Sequence, residues 1–406
     1  MVKQKVWMGV LVFMFANTAA AGAEWVTAAL AEISNYFSGV PFSVITLVNN
    51  IPNLCAVIFT LVAGMIVGRK IKWKTLMILG VILWTVGGIL PAISGSSSFM
   101  VLMFGRLAFG IGYGIMQGLS ISMVYKYVTN TKLQIHAVGW TLSAQNIAST
   151  AAQLGAGFLA VIAWNYAFWV YAWGVVPLIV IIVFAANYPL DKADDNPEGR
   201  ETLGQSLKSL PPVVWANSIF ILLFMMSFYA TFLNIPPLVM MRELGGPAQI
   251  GLVFMFYTVG MIIGGFIFGT IAKRLKWITM SVYLVVLALC IVAILAAANT
   301  LTSLFVIMLI SGLGCGGIIP ASVASYADKI PKHNIPLSTG ITMCFVNLGA
   351  FVSTVYIAMF EAMGNHSPTA TYPSSIVILL VIAVLAGMII KRSSAKKESM
   401  PEEMNA

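Results

Sequence analysis

The chain is 406 residues long, 60% hydrophobic and only 9% charged, with a mean hydropathy of +0.94. Soluble globular domains carry about 25% charged residues, so this composition excludes that class. The formal net charge of +9 does not point to nucleic acid, because the basic residues sit in short segments between apolar runs.

In chain order, apolar runs recur that are long enough to cross a bilayer core of roughly 30 Å as helices. A spanning segment in lipid must satisfy its own backbone groups, which favours helices. Twelve spans are expected, the first six near 6–31, 42–68, 75–94, 99–125, 137–162 and 164–188. The second six fall near 213–238, 248–272, 277–298, 302–327, 336–360 and 373–390. The longest polar stretch, "LDKADDNPEGRETLGQSLKSLPP", separates the two sets. The expected organisation is an N-terminal half 1–189, a linker 190–212, a C-terminal half 213–391 and a tail 392–406. The linker's acidic residues read as a solvated tether without chemistry of their own.

Of the 22 Lys and Arg, all but Arg106 and Arg242 fall at the termini or in segments expected on one side of the membrane. That asymmetry places both termini and the linker in the cytoplasm. The first 25 residues also resemble a secretory signal, with a basic start, an apolar centre and a small-residue end. Cleavage would leave eleven spans and break the pairing of the halves, so they are read as the first span. The fold class expected is an all-α membrane protein of two pseudo-symmetric six-helix bundles. Cys55, Cys290, Cys315 and Cys344 all lie in expected spans, and His136, His333 and His366 are scattered in loops. Neither set has the spacing of a metal site or of a disulfide framework, so no cofactor is expected.

Two motifs repeat at nearly one offset. "GMIVGRKIKWKT" begins at Gly64 and "GTIAKRLKWIT" at Gly269, and each links two spans at the same place in its half. "GIGYG" at Gly110, Gly112 and Gly114 is answered by "GLGCG" at Gly312, Gly314 and Gly316. Different motifs in matching positions indicate two halves of similar structure.

These residues resemble the major facilitator superfamily of secondary transporters, over nearly the whole chain. Arg106 followed by Gly110, Gly112 and Gly114 is similar to the family's span-four signature. Gly64 and Arg69, with Gly269 and Arg274 in the second half, are similar to its cytoplasmic loop motif, although Gly68 stands where the family usually has aspartate. The aromatic "WNYAF" also resembles the family's start of span six. The resemblance implies alternating access around a site near the membrane midplane, reached by rocking of the two halves. Shorter stretches, "FSVITLVNNIP" and "GLGCGGIIP", are similar to a cyanate and nitroimidazole transporter group, which favours a small anionic or polar solute.

Arg106 stays charged in a span where charge is costly, so a partner or a function is expected for it. Glu24, at a similar depth in an unbroken span one, is the expected counter-charge. At about 100° per residue, Arg106, Gly110, Tyr113 and Gln117 share one stripe, as do Asn17, Ala21, Glu24 and Ala28. Asn49 and Asn53 in span two and Gln145, Asn146 and Gln153 in span five extend the polar lining. Three readings stay open. Glu24 is a proton-coupling carboxylate tuned by Arg106, since burial and a neighbouring cation act on its proton affinity in opposite senses. Alternatively, Arg106 receives an anionic substrate directly, or the two form a fixed structural pair.

The function expected is a secondary transporter of a small solute, favoured as an organic or inorganic anion, coupled to protons. It would work as a monomer in a bacterial inner (plasma) membrane, with the solute, protons and the bilayer as partners. Drug efflux antiporters are the alternative, although span five lacks their glycine-proline signature. A non-transporting solute sensor is the alternative of another class, but its output domain would need longer cytoplasmic segments. No catalytic constellation and no nucleotide-binding loop is present, so an enzyme is not expected.

Overall fold

The computed structural model describes residues 2–68, 70–94, 97–128, 131–186, 210–327, 330 and 335–398. Among these it is helical and holds no strand, only a single bridge between Val67 and Ile71. Arg69 of the loop motif, most of the expected linker and the end of the tail lie outside the described residues.

The helices are α1 Val2–Thr18, α2 Leu30–Tyr36, α3 Phe42–Ile66, α4 Trp73–Ser94, α5 Phe99–Tyr127 and α6 Thr131–Ala160. A 3-10 helix, Trp164–Gly174, leads into α7 Val175–Phe184. Then come α8 Pro212–Leu233, α9 Ile235–Met241, α10 Pro247–Leu275, α11 Thr279–Ala297, α12 Leu301–Ala327, α13 Ile335–Ala362 and α14 Tyr372–Glu398. Most of these ends fall within a few residues of those expected from the sequence.

Ten segments among the described residues are long and apolar enough to cross a membrane. The two expected spans outside that set are the first and the fifth. The first is broken, its apolar helix ending at Thr18. The fifth, α6, carries "TLSAQNIASTAAQ", too polar to pass as a purely lipid-facing helix. These are the two helices that Asn17 and Gln145 bond together.

Three expected spans are not single α-helices. Span one stops at Thr18 and resumes only at the 3-10 turn Thr27–Ala29 and α2. Span six opens as an eleven-residue 3-10 helix. Its period of three stacks Phe168, Tyr171 and Gly174 on one face, and all three are buried. Span seven is interrupted at Asn234, between α8 and α9.

Chain contacts divide the molecule into two compact units, Met1–Arg200 with Ile235–Met255, and Glu201–Asn234 with Phe256–Ala406. In the first, α5 is wedged between α3 and α4. Its glycines make this possible. A Cβ on Gly110 would lie 2.8 Å from Pro52 Cα, and one on Gly114 would lie 3.0 Å from Ala56 Cα, both in α3. Gly112 instead meets the backbone of Gly80 and Trp84 in α4. The second unit repeats the arrangement. Gly312 and Gly316 face the backbone of Tyr257 and Met261 in α10, whereas Gly314 faces Leu287 in α11. Small residues of this kind let helices approach closely where lipid offers no hydrophobic drive. By contrast, among the described residues nothing lies within 4 Å of a Cβ added at Gly64 or Gly269, and Arg274 is exposed. Gly68 adopts φ +75°, a left-handed conformation that glycine reaches without steric cost.

Candidate functional site

The broken stretch of span one, 19–26, is where the polar groups of the first unit converge. Leaving a helix strands backbone carbonyls, and in a membrane interior each needs a donor. Four carbonyls in a row receive one from four different elements. Gln145 Nε2 of α6 donates to Ala20 O at 3.3 Å, and Trp84 Nε1 of α4 to Ala21 O at 2.9 Å. Tyr171 Oη, from the 3-10 helix, donates to Gly22 O at 2.6 Å, and Arg106 Nη2 of α5 donates to Ala23 O at 3.0 Å. The next carbonyl, Glu24 O, is taken locally by Thr27 Oγ1 at 2.5 Å. Gly22 carries φ +112°, and a Cβ there would lie 3.2 Å from the Trp84 ring. The break therefore needs glycine both for its conformation and for space.

Arg106 is fully buried, and all three of its nitrogens are engaged. Nε donates to Val48 O at 2.5 Å, Nη1 to Tyr171 Oη at 3.0 Å and Nη2 to Ala23 O. Val48 precedes Pro52 by four residues, and Pro52 lies inside α3. Proline has no N–H, so the carbonyl of Val48 has lost its helical donor, and Arg106 replaces it. The guanidinium carbon also sits 4.3 Å from the Phe109 ring centroid and 5.3 Å from that of Tyr171, a cation–π environment. The charge is thus held by oriented carbonyls and ring faces.

Glu24 is partly buried and within electrostatic reach of Arg106, Tyr113 and Tyr171. Among the described residues it forms no ion pair with Arg106 at 4.0 Å or less. The matched depth of the two residues assumed an unbroken span one. The break moves Glu24 off that helix and gives Arg106 the carbonyl of Ala23 instead.

The other polar positions divide. Asn17 is buried and donates to Thr141 O at 3.1 Å and to Gln145 Oε1 at 2.8 Å, which ties α1 to α6. Asn49 donates to Thr27 Oγ1 at 2.7 Å, while its buried Oδ1 has no hydrogen-bond partner among the described residues. Asn53 donates within its own helix to Asn49 O at 3.2 Å. Tyr113 is buried and accepts from Gln117 Nε2 at 3.1 Å. Asn146 is partly buried and takes no part in these bonds among the described residues, and Gln153 is buried two turns beyond Gln145. Sequence reasoning missed Tyr171, Trp84 and Trp25. Trp25 Nε1 donates to Ser149 Oγ at 3.0 Å and its ring stacks on Tyr171 at 5.6 Å. Only "AGAEW", with its glycine, hinted at the turn they secure.

In the second unit the positions matching Arg106 and Glu24 are Met308 and Met226. Polar contacts there include hydroxyl pairs such as Tyr356 Oη with Ser374 Oγ at 2.5 Å and Tyr326 Oη with Thr342 Oγ1 at 3.1 Å. The repeat thus preserves the packing and not the charge.

The sequence profile described as Major Facilitator Superfamily matches residues 6–238 and 218–404. The chain belongs to this family. Membership makes it a multi-pass membrane transporter and not an enzyme. Among solved structures, it is similar to a bacterial homolog of the human lysosomal transporter Spinster in an inward-facing, unoccupied conformation. That match has a TM-score of 0.73 at 15% identity and covers 97% of this chain and 98% of the other. The same homolog, inward-facing and occupied, gives 0.71 at 15% identity, covering 95% and 96%. A peptide transporter, POT, in complex with sulfate gives 0.72 at 14% identity, covering 95% and 94%. At such identities the likeness is one of fold. No curated protein sequence matches significantly.

Proposed function

We propose that this facilitator moves a small solute by alternating access, coupled to protons through Glu24. The observation that carries the reading is the separation of roles between the two charges. Arg106 has its three nitrogens committed to protein atoms and no exposed surface, so it is poorly placed to grasp a substrate. Glu24 is partly exposed and within the field of Arg106, yet makes no direct ion pair among the described residues. Its side chain, hydrogen-bonded to its own backbone and to no other charged group among the described residues, is therefore the ionisable group left to exchange a proton.

A small anion is the favoured solute on electrostatic grounds. When Glu24 takes up a proton, the charge of Arg106 loses its nearest formal counter-charge, and the region becomes more favourable to an anion. Proton and anion would then bind together. Asn49, Tyr113, Gln117, Asn146 and Gln153 are the candidate polar contacts, with Asn17, Asn53 and Gln145 bracing them. The same logic allows the runner-up: with Glu24 ionised, a lipophilic cation would be drawn to it, as in a multidrug antiporter.

The wider reading has twelve spans in two six-helix halves, 1–189 and 213–391, around the linker 190–212, with both termini and the 392–406 tail cytoplasmic. It places a monomer in a bacterial inner membrane. Its support is that all but two of the basic residues fall at the termini or in segments expected on one side, together with the repeated glycine packing of α5 and α12.

The test is a thermal-melt panel on purified protein at pH 6 and pH 8. Its ligands are small carboxylates, inorganic anions, sugars, amino acids and lipophilic cations. A ligand that binds the folded state raises the melting point with concentration. Stabilisation by small anions, larger at pH 6, supports the proposal, whereas stabilisation by lipophilic cations, larger at pH 8, replaces it with efflux. A ligand that stabilises the protein but does not cross proteoliposomes would make it a sensor.

A further inference from the structure

The hydroxyls of the second unit fall into two groups. Ser227, Thr231, Ser311 and Thr342 each return the proton to the carbonyl one turn back in their own helix, at 2.8, 3.2, 2.9 and 3.0 Å. That is how a hydroxyl hides in an apolar helix. Ser218 in α8, Ser322 in α12 and Ser338 in α13 do not. All three are fully buried, and their Oγ atoms have no hydrogen-bond partner among the described residues. Asn217 Oδ1, also buried, has none either. Each buried polar atom left in this way costs about 1–3 kcal/mol, so four of them in one region call for an occupant.

Packing brings the four together. Leu210 and Val214 form one buried cluster with Tyr326 and Ile330, and Leu337 and Ile341 pack against it. The start of α8 thus meets the end of α12 and the start of α13, and α8 and α12 run antiparallel away from that point. One turn inward on the same faces, Val214 gives way to Ser218 and Tyr326 to Ser322, so these two serines face each other. Ser338 lies one turn before Thr342, whose Oγ1 meets Tyr326 Oη at 3.1 Å, so α13 closes the third side. Asn217 sits beside Ser218.

The proton count identifies the occupant. Three hydroxyls have a proton to give, which a metal cation cannot accept. Asn217 Oδ1 needs a donor, which a bare anion cannot supply. Water does both, and two to four polar partners are what keep it buried.

We infer that ordered water is bound at this junction, bridging Ser218 Oγ and Ser322 Oγ and serving Asn217 Oδ1 and Ser338 Oγ beside them. The second unit then satisfies its interior polarity with water where the first uses Arg106. The site is independent of Glu24 and of the transported solute.

The test is a double-mutant cycle on the full-length protein in detergent, with Ser218→Ala, Ser322→Ala and the two combined. With a bridging water, each single change strands the other hydroxyl and lowers the melting point. The double variant should then lose less than the two single losses added. Dry, isolated hydroxyls behave in the opposite way, because each alanine removes an unsatisfied group. A rise in either single variant, or strict additivity, therefore overturns the inference. Melting the wild type in sodium chloride, choline chloride and sodium gluconate separates water from an ion. Equal melting points are expected, and a shift that follows sodium or chloride alone overturns it. A density map fine enough to show water is expected to place one within hydrogen-bonding distance of both Oγ atoms. Hydroxyls turned instead onto the carbonyls of their own helices would overturn it.

Discussion

Arg106 Nε bonds the carbonyl of Val48 at 2.5 Å, the acceptor that Pro52 deprives of its helical donor. A charged side chain in the middle of a span thus repairs a defect in the neighbouring helix. Through Nη2 and Tyr171 it does the same for the broken backbone of span one. Its burial costs less than a bare charge would, because two oriented carbonyls, the Tyr171 hydroxyl and three aromatic faces surround it.

This relationship predicts a coupling between Arg106 and Pro52. Arg106→Ala leaves the carbonyls of Val48 and Ala23 unsatisfied, at about 1–3 kcal/mol each. In a Pro52→Ala background α3 regains the N–H that serves Val48, so the loss of Arg106 should cost about 1–3 kcal/mol less. Unfolding of the four proteins in detergent measures the cycle, and strict additivity would sink the argument. Arg106→Lys should resemble Arg106→Ala more than wild type, because one ammonium cannot reach three acceptors in a fixed fork.

Tyr171 stands between Arg106 and Gly22 as acceptor and donor at once. Tyr171→Phe keeps its stacking on Trp25 but removes both bonds, and should cost about 1–3 kcal/mol of stability. Tyr113→Phe removes only an acceptor for Gln117 and should cost less. A reversed order in the measured melting points would show that the break is not held through Tyr171.

For Glu24, the expected outcome in proteoliposomes is specific. Glu24→Gln removes the ionisable proton while nearly keeping shape, so uphill transport driven by a pH gradient should be abolished and solute exchange retained. Loss of both, or of neither, removes Glu24 from the coupling role.

The glycines divide by what surrounds them. Gly22→Ala forces a left-handed φ on a residue with a Cβ and crowds Trp84, and Gly112→Ala drives a methyl into the backbone of α4. Each should destabilise by about 1–3 kcal/mol. Gly64→Ala meets nothing within 4 Å among the described residues and should change stability by less than about 0.5 kcal/mol. Comparable losses at Gly64 and Gly112 would contradict the packing assigned to α5.

The sequence by itself determined the membrane class, most helix ends and the two-fold repeat, because these follow from local quantities. Apolar length fixes what crosses lipid, and glycine spacing fixes which faces of α5 and α12 can approach a neighbour. It also singled out Arg106, since an arginine amid apolar residues is conspicuous in any alphabet. What it could not supply was the partner. The stretch "TAAAGAEW" is small and apolar enough to continue a helix, and only the tertiary structure decided that it breaks. The donors that make the break affordable come from Trp84, Arg106, Gln145 and Tyr171, which lie 63 to 149 residues away from the carbonyls they serve. An orphaned carbonyl has no signature of its own in a sequence; it exists only once the helix that would have satisfied it is interrupted.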